Sequence, residues 1–324
     1  MDLSFDRTRR LAAIVIGRAG MDLYPVPDGV KTEAADHFAA EVGGSAGNIA
    51  VAIARQDHTA ALLGALSDDA VGRFVRSHLK RLAVDTSHCR AVAGAWRTSL
   101  AICETRPKDS ETVFYRNGAV DLQLRADDFD SQFVASASFL VVTGTALAAE
   151  PSRTATLHAL ALARAAGTVS ILDVDYRPVS WSSRDETTRI LADAARRCDA
   201  IVGNDEEFAV LGGDPGGALA AAAAFVGDGG HFVVLKRGNA GSVTITADRT
   251  FETEILEVAA KKPFGSGDAF LGTLVVGLRR GLALEPAVRR ATAAAAYVVA
   301  RRGCAFAMPT AAELDTFVLS HRSN

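Results

Sequence analysis

Gly265-Ser266-Gly267-Asp268 stand directly before an apolar run, Ala269-Phe-Leu-Gly-Thr-Leu-Val-Val-Gly-Leu278. A small glycine-rich turn at a helix start presents backbone N–H groups that have no intrahelical acceptor, and the helix dipole adds partial positive charge. Such a start binds anions, phosphate above all. Asp268 is the unusual member, because a bound phosphate repels a nearby carboxylate. One use for it is to take a proton from a hydroxyl that attacks a phosphorus held in the hole. The alternative is a loop whose Asp merely caps the helix.

Five further clusters carry polar chemistry. Gly43-Gly44-Ser-Ala-Gly47-Asn48 precedes a helical run. Its glycines permit close backbone approach and positive φ, and Asn48 offers a donor and an acceptor, which suits a polyhydroxylated ligand or an ordinary helix-start turn. Asp22 follows Gly17-Arg18-Ala-Gly20 and could accept two sugar hydroxyls. That spacing is not the Gly-x-Gly-x-x-Gly dinucleotide fingerprint, so a dehydrogenase is disfavoured. Asp173-Val-Asp175-Tyr-Arg177-Pro178 ends a strand-like run, and Arg177 offers a planar fork for a phosphate or a carboxylate, or else a local ion pair. Asn204-Asp-Glu-Glu207 reads either as acids favoured by a helix dipole or as oxygen donors around Mg²⁺. Lys236-Arg237-Gly238-Asn-Ala-Gly241 follows another strand and could lie along nucleotide phosphates.

The elements that must position these residues alternate strand and helix. Short apolar runs at 11–17, 60–66, 139–143, 169–173, 200–203 and 231–236 read as buried strands. Helical runs fall at 46–56, 71–82, 152–166, 185–197, 217–227, 267–280 and 285–301. Continuous apolar strands between helices predict a parallel sheet covered on both faces. Two stretches, 22–38 and 96–121, alternate in the β manner without a helix. They predict a small antiparallel sheet that closes over a ligand at the strand C-terminal ends. No repeat or linker divides the 324 residues, so one chain-long unit is expected.

Bulk properties exclude several classes. A formal net charge of −3 leaves no basic field for nucleic acid or an anionic membrane. The apolar stretches are too short and interrupted for a transmembrane helix, and the acidic N-terminus argues against a signal peptide. Cys89, Cys103, Cys198 and Cys304 form no Cys-x-x-Cys pair and read as structural thiols of a reducing cytosol.

In order and placement these motifs resemble the PfkB, or ribokinase-like, family of carbohydrate kinases over roughly residues 11–312. The resemblance implies a three-layer α/β/α fold with a mostly parallel central sheet and a small β lid. It implies Asp268 as catalytic base, with Gly265, Ser266 and Gly267 as the anion hole. It places Asn204 and Glu207 around Mg²⁺–ATP, holding the metal through water, and Lys236, Gly238 and Gly241 beside the nucleotide. The sugar would lie near Asp22, Gly43, Gly44 and Asn48 under the lid, with Asp175 at the strand end beside it.

Four stretches are similar to one branch of that family, whose members act on an acidic keto sugar of myo-inositol catabolism. They are Gly17–Pro25, Phe114-Tyr-Arg-Asn117 with Ala119-x-Asp121, Leu172–Pro178 with Trp181, and Lys262-Pro-Phe-Gly265. An acidic substrate makes Arg18, Arg116 and Arg177 the candidates to neutralise its carboxylate. The family's Asp-Thr-Thr run is replaced here by Lys262, Pro263 and Phe264, which leaves a monovalent cation (K⁺) open. Rival readings are a 2-keto-3-deoxygluconate, fructose or nucleoside kinase, the last using Tyr24 and Phe38 for stacking, and a non-catalytic sugar- or nucleotide-binding regulator. Lid strands in this family can pair between subunits, so a homodimer is a further expectation.

Overall fold

The computed structural model describes residues 3–106, 108–214, 216–261 and 264–321. The run Leu-Ala-Ala-Ile-Val-Ile is apolar at every position, as a strand covered on both faces requires. It forms Leu11–Ile16 at the heart of a ten-stranded sheet. Across that sheet the order is Thr250–Thr253, Ser242–Thr246, Phe232–Lys236, Ala200–Asn204, Val169–Asp173, Ala137–Thr143, Leu11–Ile16, Ala60–Ser67 and Val84–Asp85, with Cys89–Val92 also on Ala60–Ser67. Pairing is parallel except for the two pairings of Ser242–Thr246, which is antiparallel to Phe232–Lys236 on one side and to Thr250–Thr253 on the other.

Alternate residues of each strand enter opposite cores. Ala13 and Val15 pack with the helices Ser45–Ala54, Ser266–Arg279 and Leu284–Val299. Ile14 and Ile16 pack with Ser152–Ala166 and Arg184–Ala195. The result is three layers, helix on sheet on helix. Gly272 explains how two of the helices meet: a Cβ there would lie 2.5 Å from the Cβ of Ala52 and 2.9 Å from the carbonyl oxygen of Ile49. The helices Ser45–Ala54 and Ser266–Arg279 therefore touch almost backbone to backbone.

A second sheet of four strands stands apart, in the order His37–Gly43, Gly20–Val26, Leu100–Cys103 and Thr112–Tyr115. The outer pairs are antiparallel, as expected, but the central pair is parallel, with Met21 opposite Leu100 and Leu23 opposite Ile102. The sheet is mixed because its two halves are hairpins separated by a passage through the main sheet. Each hairpin leaves the main body from the same side, so the inner strands run the same way. The antiparallel edge of the main sheet and the helix Ala311–Ser320 also lie beyond what the sequence pattern predicts. Among the described residues no helix is long and apolar enough to cross a membrane.

Candidate active site

Register brings the polar strand ends together. Asp173 is level with Thr143 on one side and Val202 on the other, and Asn204 is level with Lys236. All lie at C-terminal strand ends, where open α/β sheets bind ligands. The cleft above them has two chambers.

The larger, about 410 Å³, is lined by Asp173, Asp175, Arg177, Asn204, Glu207, Lys236, Gly238, Gly241 and Gly265 to Asp268. Its lining also includes the apolar side chains of Ile255, Phe270 and Ala295. The smaller, about 260 Å³, lies under the four-stranded sheet. It is lined by Arg18, Asp22, Gly44, Ser45, Asn48 and Phe114, with Cys103 and Cys304. Arg177, Phe264, Gly265 and Asp268 line both. A carboxylate thus sits where the two chambers join.

Gly265 caps the helix Ser266–Arg279 with φ +83°, a conformation glycine adopts without a Cβ penalty. Asp268 is in the first turn of that helix. Asn48, in the first turn of Ser45–Ala54, donates from Nδ2 to Asp268 Oδ2 at 2.7 Å. The Oδ1 of Asn48 is buried and has no partner, so it can accept a ligand hydroxyl. Burial pushes the Asp268 carboxyl up to about 6; the bond from Asn48 opposes the shift, Asp175 adds to it, and Arg177 and Lys236 oppose it. A carboxylate poised near neutrality, with one oxygen bonded and the other uncommitted by that bond, has the form of a general base.

The other carboxylates are held differently. Burial, with Asp175, Glu207 and Asp268 nearby, drives the Asp173 carboxyl well above the usual range despite Lys236. Burial also acts on Asp175, yet Arg177, Arg18 and the hydroxyls of Ser45 and Thr145 outweigh it and keep this group ionised. Asn204 and Glu207 form a capping box: the Glu207 amide donates to Asn204 Oδ1 at 2.9 Å, and the Asn204 amide donates to Glu207 Oε2 at 2.7 Å. The bland reading of that motif is therefore correct as far as it goes, and both residues still line the larger chamber. Lys236 Nζ lies 3.1 Å from where a Cβ on Gly267 would stand, which puts an ammonium at the helix start.

Asp22 is backed by Gly43, where a Cβ would come within 2.0 Å of its carboxylate. The Tyr24 hydroxyl donates to Asp22 Oδ2 at 3.3 Å, and burial, with Cys304 and Asp22 close by, keeps that phenol protonated.

Most expected site residues thus converge. Gly43 supports the site from behind without lining it. Arg116 does not reach either chamber: it pairs with Asp121 and donates to Ser180 Oγ at 2.7 Å. An adjacent buried acid captures it, which its motif could not reveal. Tyr24 is buried, and Phe38 lines neither chamber; Phe114, Phe264 and Phe270 are the aromatic lining residues instead. Cys103 and Cys304 line the smaller chamber, a placement that isolated cysteines give no signal for. Lys262 and Pro263 lie outside the described residues.

The donors in the larger chamber are oxygens, from Asp173, Asn204 and Glu207, which suit a hard cation such as Mg²⁺. Among the described residues no group of three or more His, Cys, Asp or Glu could hold a metal alone. A cation here would complete its shell with water and ligand oxygens.

Two chambers meet at the Asp268 carboxylate beside a glycine-led helix start, and the profile of the pfkB family of carbohydrate kinases matches residues 11–311. The chain belongs to that family and is an ATP-dependent carbohydrate kinase. Among its relatives, the 5-dehydro-2-deoxygluconokinase of Photobacterium profundum is 39% identical over 321 residues, covering 98% of this chain and 97% of the relative. The enzyme of the same name from Geobacillus kaustophilus is 35% identical over 326 residues, covering 99% and 97%. A fructokinase double mutant from Vibrio cholerae O395, solved with fructose, ADP and potassium ion, superposes with a TM-score of 0.82 at 27% identity, covering 96% of this chain and 99% of that one.

The Asp268 carboxyl should titrate near 6 in the ligand-free protein. Asn48→Ala removes a bond that favours the charged form, so its midpoint should rise. ¹³C NMR of Asp-labelled protein, with Asp268 assigned by its loss in Asp268→Asn, reads this directly. A wild-type midpoint near the ordinary ~3.9, or a fall in the variant, would contradict the electrostatics described.

Proposed function

We propose that the chain transfers the γ-phosphate of ATP to the 6-hydroxyl of 5-dehydro-2-deoxy-D-gluconate, a step of myo-inositol catabolism. The observation that carries this reading is Asp268, half-buried at the junction of the chambers beside the helix start at Gly265. The names of the relatives supply the sugar. In this reading the sugar lies in the smaller chamber, with Asp22 and Asn48 Oδ1 accepting its hydroxyls. Asp268 takes the proton of the attacking hydroxyl as that oxygen meets the γ-phosphorus. The backbone N–H groups of Gly265, Ser266 and Gly267 receive the charge that develops on the phosphoryl oxygens. Lys236, Gly238 and Gly241 flank the nucleotide. Mg²⁺, held through water by Asn204 and Glu207, supplies electrostatic relief between the phosphates.

Arg18 is buried and Arg177 lines both chambers, which makes these two the partners for the sugar's carboxylate. We assign Arg116 to the support of Asp121 instead. The positions of the family's Asp-Thr-Thr run are Lys262, Pro263 and Phe264; the first two lie outside the described residues, and Phe264 brings no side-chain oxygen to a K⁺ ion. The chain works as one kinase unit with its lid. Four buried cysteines unlinked by disulfides, and the use of ATP, support a cytoplasmic setting. Phe38, Val113 and Tyr115 are exposed on the lid strands, which supports a homodimer through that sheet.

Coupled ADP release should be at least tenfold more efficient, in kcat/KM, with 5-dehydro-2-deoxygluconate than with 2-keto-3-deoxygluconate, fructose, ribose or adenosine. Asp268→Asn should still bind ATP and lose on the order of 10²-fold of kcat or more, the scale of general-base removal. Preference for another sugar discards the substrate; near-normal turnover by the variant discards the base.

Arg18→Ala and Arg177→Ala should raise KM for the acid sugar more than for a neutral analogue, while Arg116→Ala should affect both alike. Equal effects from all three would sink the carboxylate assignment.

Sedimentation at micromolar concentration should show a dimer that Tyr115→Glu dissociates. A monomeric wild type would remove the lid interface.

A further inference from the structure

From its sequence motif, Asp175 is expected to face the substrate. Its surroundings assign it other work. The residue is 3% exposed and its backbone has φ +37°, in the left-handed region that a non-glycine residue adopts only when its surroundings hold it there. What holds it is its own carboxylate. Oδ2 accepts from Ser45 Oγ at 2.6 Å and from Thr145 Oγ1 at 3.0 Å. Oδ1 pairs with Arg177 Nη2 at 3.0 Å. Both oxygens are therefore engaged by the protein before any sugar arrives.

Those three partners come from three separate parts of the cleft. Ser45 is the first residue of the helix that carries Asn48, and Asn48 holds Asp268. Thr145 belongs to the turn that follows the strand Ala137–Thr143. Arg177 has a side chain that is 44% exposed and lines both chambers; the ion pair with Asp175 holds its fork, with a longer bond from Nη1 to the Tyr176 carbonyl at 3.4 Å beside it.

We propose that Asp175 is a positioning residue: it sets Arg177 at the junction of the chambers and pins the start of the helix that carries Asn48. This deepens the kinase reading and rests on it. Arg177 can then meet an anionic group from either chamber without losing its place. Asn48 likewise keeps its angle to Asp268.

The two halves of the proposal are tested separately on the full chain. Asn tolerates the left-handed region nearly as well as Asp, so Asp175→Asn keeps the backbone while removing the charge that holds Arg177. It should raise KM for the acid sugar by ~10-fold, as Arg177→Ala does, and in an Arg177→Ala background it should add less than about twofold, because residues acting through one another are not additive. Additive effects on KM would mean that Asp175 touches the sugar itself and would overturn the first half.

Ser45→Ala changes no formal charge; it removes one of the bonds to the Asp175 carboxylate and leaves the Arg177 side chain itself intact. In ligand-free protein it should raise the midpoint of the Asp268 carboxyl seen by ¹³C NMR, by loosening the bond from Asn48. Of the groups facing that carboxyl, namely Asn48, Asp175, Arg177, Lys236 and Asp173, Asp175 loses a bond that favours its ionised form, which by itself would lower the Asp268 midpoint, so only a rise reports the route through Asn48. An unmoved or lowered midpoint overturns the second half. Because this titration needs no turnover, it stands even if the wild type is inactive on every sugar, an outcome that would fall on the kinase reading instead.

Discussion

A single hydrogen bond, Asn48 to Asp268, ties together two helix starts that lie 220 residues apart in the chain. Each helix approaches the cleft from the same layer, and their closeness rests on Gly272 packed on Ile49 and Ala52. The bond has two effects on one carboxylate. It orients Oδ2, and it favours the ionised form that burial disfavours. Without such a donor, a buried carboxylate becomes a neutral acid and can no longer take a proton. The fold can therefore be described as a means of holding that distance while leaving the cleft above it open.

The same cleft gathers Asp173, Asp175, Glu207 and Asp268 around Lys236 and Arg177. A polyanionic ligand is an odd guest for such a place. The arrangement works because the negative charge is unevenly distributed. Asp173 is driven toward its neutral form, Asp175 is neutralised by Arg177, and Glu207 is engaged in a capping box. What remains facing the helix start is an ammonium, backbone N–H groups and one poised base. Pairs of acids whose surroundings push them to opposite protonation states recur where proton transfer is done.

Much of this is legible in the sequence. The apolar run at 11–16 and the Gly-Ser-Gly-Asp turn at 265–268 declare a buried strand and a glycine-led helix start by local chemistry alone. So do the polar residues at the ends of 169–173, 200–204 and 232–236. Side-chain partners are not legible, because they join segments far apart in sequence. Arg116 reads like Arg18 and Arg177, yet a buried acid five residues away captures it. Tyr24 reads as an aromatic available to stack, yet it is fully buried and donates to Asp22. The mixed pairing of the lid is also hidden, since alternation reveals a strand but not its direction.

That parallel pairing has a consequence for how the molecule is assembled. Met21 and Leu100 meet only after the chain between them has entered the main sheet and returned. A two-stranded hairpin closes cheaply because its ends are adjacent, whereas the cost of joining distant segments grows with the loop between them. Neither lid hairpin contains both walls of the smaller chamber. Asp22 is on one and Cys103 on the other. The smaller chamber is therefore complete only when both hairpins stand on the main sheet, where the strands Leu11–Ile16 and Ala60–Ser67 lie side by side. It is also not a portable module: transplanting either hairpin alone into another kinase would carry half a binding site.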